Sequence, residues 1–357
     1  MKVTAGQLVD GRQTLSISAT AAEVDDAFAY LTAKCATENE IDIGQSLDLE
    51  FDLRAKVGGD FLTAYMNTQV PLFLAAKAVG VAKKSTILNP EISSRVQQLY
   101  RGRALEFKAS VLIKPQFELS SYEPVTIEVP EVNVSDEEVE AQIYMLAERF
   151  ATYATDEDGQ PDESQKTIPA ITDAWVSENV PGAETVDDLR ELVRANGMLY
   201  KQQEALEYTS FAATSELAKR LEGEIAPEIY ELTRNDLLSS LQRNLDAQGR
   251  TMEEFVKAQG GEKAFVSATL MQTNTVLRQG FALDALARHL NMRLTSDDIE
   301  RAFTSMAPGY EDMARLEFER TGRMYVMEEA AMRIKATRYL VEHATINQNP
   351  DTTPKEA

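Results

Sequence analysis

The sequence predicts an α+β N-terminal domain, strands with inserted helices, followed by a mostly α-helical, multi-arm C-terminal domain. Three observations carry that expectation. Residues 2–18, 105–113 and 125–129 alternate apolar and polar side chains at the period of a strand, and the first stretch turns at Asp10-Gly11, a hairpin dipeptide. Residues 185–343 run almost without punctuation, with Leu189, Leu192, Val193, Leu199, Leu206, Phe211, Leu217 and Leu221 at helical spacing in the first long segment alone. Between these regions, residues 155–164 are polar, acidic and rich in turn formers, which reads as a linker.

The elements follow in order. Thr20-Ala21-Ala22-Glu23 is a capping box, in which hydroxyl and carboxylate satisfy two free N–H groups, and it opens a helix to about Lys34. Residues 36–52 hold six acids and no base, and the alternation of Leu47–Leu53 taken alone predicts a strand. A helix apolar nearly all round spans about 60–79, with a break or kink near Pro71. From Ser85 the pattern turns to strands, closing at Pro130. Ser135 and Glu138 cap a helix to about Tyr153, and Ile171–Val176 carries the only Trp. Within 185–343, Thr185, Pro227, Thr251 and Thr295 start helices, and Gly223, Gly249 and Gly260-Gly261 stop them. Pro308-Gly309 precedes one final helix ending near His343. The domains are thus 1–130, a connecting helix and acidic linker over 131–184, helical arms over 185–346, and a disordered tail over 347–357.

Composition narrows the function. A net charge of −22 argues against nucleic acid or an anionic membrane as direct partner, because the phosphate term would be repulsive. The same charge keeps a protein soluble, and it also favours basic clients. The single cysteine, Cys35, permits neither an intramolecular disulfide nor a cysteine metal site. Residues 1–7 carry no apolar signal core and no run of about 18 apolar residues occurs, so a cytoplasmic, non-membrane protein is expected.

No residue pattern supports an enzyme. His289 and His343 each sit near a predicted helix C-terminus, where the dipole favours an imidazole. Cys35 lies beside Lys34, which could lower its pKa, although a plain small residue explains it as well. The acid clusters fall in first helical turns or the linker, and no phosphate loop, nucleophile elbow or HExxH motif is present. No metal, cofactor or nucleotide is expected. The positive signal is methionine. Seven of twelve lie between Met271 and Met332, and flexible thioethers suit irregular apolar partners as well as they fill gaps in loose cores.

Tyr122-Glu123-Pro124-Val125-Thr126-Ile127-Glu128-Val129-Pro130, the Ser135 helix and Glu148–Tyr153 resemble the trigger factor family, ribosome-associated chaperones, at the exit from their N-terminal domain. Thr185–Arg190, Ile225–Glu228 and Leu290–Glu300 resemble its C-terminal chaperone domain in the same order. The family's peptidyl-prolyl isomerase domain has no room here, since only about 30 residues separate Tyr153 from Thr185 and a domain needs roughly 100. The family's basic ribosome-docking tip, of the type Gly-Phe-Arg-x-Gly-Lys, corresponds to Ile43–Glu50, which begins Ile43, Gly44 and Gln45, keeps one Gly and carries acids, Asp48 and Glu50, in place of the bases. Charge repulsion from RNA puts ribosome docking in doubt, and the resemblance implies a helix over 47–53 where alternation implies a strand.

The function that follows is a non-enzymatic chaperone holding unfolded or assembling polypeptides in a cavity between helical arms, without nucleotide. Its expected peptide-binding residues are Met198, Tyr208, Phe211, Met271, Phe281, Phe303, Met306, Met324 and Tyr325. The rival reading is an adaptor that uses the same cavity for one dedicated protein partner.

Overall fold

The structure, a computed structural model, describes residues 1–82, 91–94, 99–155 and 161–348. Strands β1 (Lys2–Val9) and β2 (Arg12–Ala19) form the hairpin, with Asp10 (φ 50°) and Gly11 (φ 74°) supplying the two left-handed residues that such a tight turn needs. Helices α1 (Ala21–Glu38), α2 (Leu49–Val57) and α3 (Gly59–Val81) precede β3 (Glu91–Ile92), β4 (Leu105–Leu112) and β5 (Thr126–Val129). Then come α4 (Asp136–Glu148), β6 (Thr152–Thr155), β7 (Pro161–Thr167), α5 (Asp173–Asn179) and α6 (Val186–Lys219). The rest is α7 (Pro227–Ala247), α8 (Met252–Ala258), α9 (Glu262–His289), α10 (Ser296–Met306), α11 (Glu311–Thr321), α12 (Met324–His343) and β8 (Thr345–Gln348). Thr20, Ser135, Thr251 and Thr295 each cap their helix reciprocally with the acid three residues on.

Five expectations change. Residues 49–57 are helical rather than extended. Asp48 accepts the Phe51 N–H at 3.1 Å as N-cap, and Leu49, Leu53 and Val57, four residues apart, face the core while Phe51 stays outside. The last long helix is two helices, because Gly322 at φ 69° takes the left-handed conformation and the Arg323 N–H returns to Phe318 O at 2.8 Å. The helix begun at Ser135 stops at Glu148, and part of the supposed linker is an antiparallel hairpin, β6 with β7. The strand 125–129 does not join the N-terminal sheet but pairs in parallel with β8, so Asn347 and Gln348 belong to a strand rather than a disordered tail. Helix α3 runs through the buried Pro71 without a break. The expected strands from Ser85 fall partly, and the remainder of the tail wholly, outside the described residues.

The chain divides into two compact units. The first combines residues 1–122 with 217–337. Its four-stranded sheet has the order β1-β2-β4-β3, all antiparallel, and the inward side chains Leu15, Ile17, Phe107 and Val111 meet Val24, Phe28 and Leu31 of α1 and Leu62, Val70 and Leu74 of α3 in one core. A smaller cluster in the same unit joins Ala302 and Phe303 of α10 to Met327 and Ala331 of α12. The second unit, residues 123–216 with those from Arg338 onward, packs Val139 and Ile143 of α4 on Val176 of α5 and Leu189 of α6.

Within the first unit α3 meets the α11–α12 turn backbone to backbone. A Cβ added at Gly80 would lie 2.5 Å from Gly322 O, and one added at Gly322 would lie 2.9 Å from Lys77 Cα. Alanine in a helix interior gains about 1 kcal/mol over glycine, but overpacking against backbone costs about 1–3 kcal/mol and wins here. Gly80→Ala is therefore expected to lower the urea midpoint. Gly197→Ala, whose Cβ would meet only Val134 side-chain atoms at 3.4–3.5 Å, is expected to hold or raise it.

Candidate functional site

A cavity of about 970 Å³ opens in the first unit. The last turn of α3 contributes Lys77, Gly80 and Val81, and the segment after β4 contributes Lys114, Pro115 and Gln116. The end of α9 and its following loop add Asp284, Ala287, Arg288, Met292 and Leu294, and the opposite wall is Gly322, Met324, Tyr325, Glu328, Glu329 and Met332. Three thioethers beside Val81, Leu294, Pro115 and Tyr325 make a lining that is apolar and deformable.

Charge holds these walls together. Lys114 Nζ lies 2.5 Å from Asp284 Oδ2 and 2.5 Å from Glu329 Oε1. The Arg333 guanidinium grips Asp284 with two bonds, Nε at 3.0 Å and Nη2 at 2.9 Å, and reaches Glu329 at 3.0 Å. Burial pushes the Asp284 carboxyl up, but Arg333 and Lys114 outweigh it and hold the group below the ordinary carboxylate range. Burial likewise opposes the Arg333 charge, and Asp284 and Glu329 together keep its pKa raised. Arg288 is fixed by the carbonyl of Phe117 and by Glu118, whose Oε1 accepts at 2.9 Å.

The nine residues expected to bind peptide do not gather. Met324 and Tyr325 line the cavity. Phe303 is 0% exposed and Phe281 4%, which makes both core residues rather than presented surface. Phe303 packs edge-on to Phe318 beside the Arg315 guanidinium, and Phe281 meets Phe117 at a tilt, ring centroids 4.8 Å apart, with the Lys114 ammonium over its ring. Helical periodicity names a face, and these faces are covered. Met306 and Met271 are exposed on α10 and α9, whereas Met198 packs against the second unit's core, and Tyr208 and Phe211 are half-buried and exposed on α6. Periodicity alone missed Val81, Lys114, Met292, Leu294 and Met332, although the clustering of methionines over 271–332 points to Met292 and Met332. It also missed a stripe on α10–α11, where Tyr310, Met313 and Leu316 join Met306 in leaving more than half of each side chain exposed.

Cys35 is buried in the sheet-and-helix core, which pushes its thiol pKa up rather than down. His289 stacks at 3.8 Å on Tyr122 and His343 at 3.9 Å on Tyr339. Among the described residues no group of His, Cys, Asp and Glu could hold a metal ion, and no helix is long and apolar enough to cross a membrane. Ile43, Gly44 and Gln45 form an exposed turn between α1 and α2.

Two family models match the chain. "Bacterial trigger factor protein (TF)" covers residues 53–146, and its C-terminus, "Bacterial trigger factor protein (TF) C-terminus", covers residues 185–342. The chain belongs to the trigger factor family. The trigger factor of Geobacillus kaustophilus is 22% identical over 76% of this chain and 82% of its own length, and that of Pelotomaculum thermopropionicum is 21% identical over 80% and 83%. The trigger factor of Acidothermus cellulolyticus reaches 38% identity over a shorter stretch, 26% of this chain and 20% of its own. A solved structure titled "Promiscuous Substrate Recognition in Folding and Assembly Activities of the Trigger Factor Chaperone" aligns over 96% of this chain and 99% of that chain, at 16% identity and a TM-score of 0.38. In this trigger factor relative, residues 147–184 separate the two matched regions, and the described part of that interval is the β6–β7 hairpin and α5. The turn at 43–45 precedes the first matched residue.

Removing one member of a buried ion cluster strands its partners and costs about 3 kcal/mol. Asp284→Asn is expected to lose that much in urea unfolding at pH 7. Because the folded-state pKa of Asp284 lies below its unfolded value, its contribution is present above about pH 4 and is lost as pH falls further, so wild type and variant should converge in acid. A constant gap between them down to pH 3 would contradict this assignment.

Proposed function

We propose that the protein is a chaperone that holds unfolded or assembling polypeptides, receiving their apolar side chains in the cavity walled by Met292, Met324 and Met332. It acts without nucleotide, cofactor or catalysis, in the cytoplasm, with residues 1–130 as the N-terminal domain, which supplies part of the cavity wall through Lys77, Val81 and Lys114, and residues 185–346 as the domain that supplies its methionines. The methionine lining carries the reading. A cavity of about 970 Å³ takes several side chains at once, and thioethers adapt to clients of different shape where branched residues would select one. Ionic clamping of the walls keeps the lining open instead of letting it collapse into a core. Family membership supports the same role, and the exposed Met306, Tyr310, Met313 and Leu316 extend the apolar surface available to a client within the same unit.

The test is suppression of aggregation of a chemically denatured client by stoichiometric protein. Met292→Ser/Met324→Ser/Met332→Ser, which changes partly exposed wall residues, is expected to lose most of the protection while its melting curve stays close to wild type. Protection unchanged in this variant would overturn the assignment to the cavity, and protection of one client only would favour an adaptor. The turn at Ile43–Gln45 offers RNA no cation, so the reading gives it no ribosome docking. In co-sedimentation with purified ribosomes the protein is expected in the supernatant, and recovery in the pellet would return that role to the turn.

A further inference from the structure

The thioethers of the cavity are reactive groups as well as adaptable ones. Met324, Glu328 and Met332 recur at every fourth residue of α12, so two sulfurs share the helix face that lines the cavity. Met292 lines the same space from the loop after α9. All three methionines are partly buried, enclosed enough to receive apolar groups and open enough for a small neutral oxidant to enter. Met327, on the same helix, is 1% exposed and packs into the core between α10 and α12, and Met66 is 6% exposed. One helix therefore carries methionines that solvent reaches and one that it does not. No thiol competes for the oxidant. Cys35, the single cysteine, is buried, and burial raises its pKa, so little thiolate is available to react.

We propose that Met292, Met324 and Met332 form an oxidative modification site, at which a peroxide turns the cavity from an apolar receptacle into a polar one that releases its client. The inference rests on the cavity being the place where clients are held. In the step itself, a lone pair of the thioether sulfur attacks one oxygen of hydrogen peroxide, and the O–O bond breaks as the S–O bond forms. The departing hydroxide takes the proton from the transferred oxygen and leaves as water. Sulfur gives up two electrons, the peroxide gains them, and methionine sulfoxide remains. The sulfoxide oxygen is a hydrogen-bond acceptor that water satisfies in the open cavity. A client leucine or phenylalanine pressed against it strips that water away and leaves the acceptor without a donor. The Lys114, Asp284, Glu329 and Arg333 cluster contains no sulfur, so the walls keep their spacing while their chemistry changes. Enzymatic reduction of the sulfoxides returns the thioethers, which makes the change reversible.

The test treats the full chain with hydrogen peroxide, removes the reagent, maps the oxidised methionines by peptide mass spectrometry and measures protection of a denatured client. Met292, Met324 and Met332 are expected to gain oxygen while Met66 and Met327 stay reduced. Affinity for the client is expected to fall about tenfold or more, the effect of one stranded acceptor, and to return after treatment with the two epimer-specific sulfoxide reductases. Two variants, each compared with its own untreated sample, locate the effect. Met292→Leu/Met324→Leu/Met332→Leu keeps volume and apolarity without sulfur, and its protection is expected not to change with peroxide. Met271→Leu/Met306→Leu/Met313→Leu, which removes exposed sulfurs of α9, α10 and α11, is expected to lose protection on oxidation and regain it on reduction. The inference is overturned by undiminished protection once the three cavity methionines are oxidised, by their resistance under conditions that oxidise Met271, or by an insensitive surface variant. A cavity leucine variant that loses protection as wild type does also overturns it. The serine variant, assayed without oxidant, separates the two readings. Protection lost there but kept by the oxidised wild type removes only this inference, and protection unchanged there removes both.

Discussion

Lys114, Asp284, Glu329 and Arg333 share two positive and two negative charges in one partly buried cluster, and the geometry of the cavity depends on it. Hydrophobic contact alone gives no reason for the walls to stop short of each other, because methionine, valine and leucine gain by closing the gap. Charges that have given up much of their water tolerate only an arrangement in which each finds its partners, so the cluster fixes a spacing that the apolar residues above it would not choose. The backbone contact of Gly80 with Gly322 sets the neighbouring limit, since α3 cannot approach the α11–α12 turn more closely than two residues without side chains allow. Together a polar constraint and a steric one turn a set of helices into a receptacle.

Much of the architecture was legible because its signals are local. Thr20 with Glu23, Ser135 with Glu138, Thr251 with Glu254 and Thr295 with Asp298 each state a helix start within four residues, and Asp10-Gly11 states a turn within two. The failures come where two periods fit the same letters. Leu47 to Leu53 alternate, yet Leu49, Leu53 and Val57 are also spaced for a helix, and the Asp48 cap with burial of Leu53 decided in favour of the helix. Gly322 looked like one more helix residue because nothing nearby announces a left-handed cap.

The candidate site was legible only in part, for a related reason. The stretch of clustered methionines includes Met292, Met324 and Met332, which line the cavity together with Tyr325. Phe281 and Phe303 lie on equally apolar faces, but whether such a face is covered depends on Phe117 and Phe318, to which no spacing rule connects them. The contributions of Lys77, Val81 and Lys114 come from segments some 170 to 250 residues away from Asp284 and Met332 along the chain and carry no binding motif. Those residues became visible as a group only once the fold brought them together.

The two compact units also bear on how such a molecule is made. Each is assembled from an early and a late stretch of chain: the first needs residues 217–337 to complete what residues 1–122 begin, and β5 finds its partner only in β8. A ribosome emits the chain from its N-terminus at about 5–20 residues per second, so roughly ten to forty seconds pass in which β5 has no β8 and the Lys114 ammonium lacks Asp284 and Glu329. During that interval the nascent polypeptide is itself an incompletely folded protein with exposed apolar surface. The ion cluster and the β5–β8 pair therefore wait for residues 284–348, whereas the sheet-and-helix core, whose buried residues run from Leu15 to Val111, needs no late stretch to close.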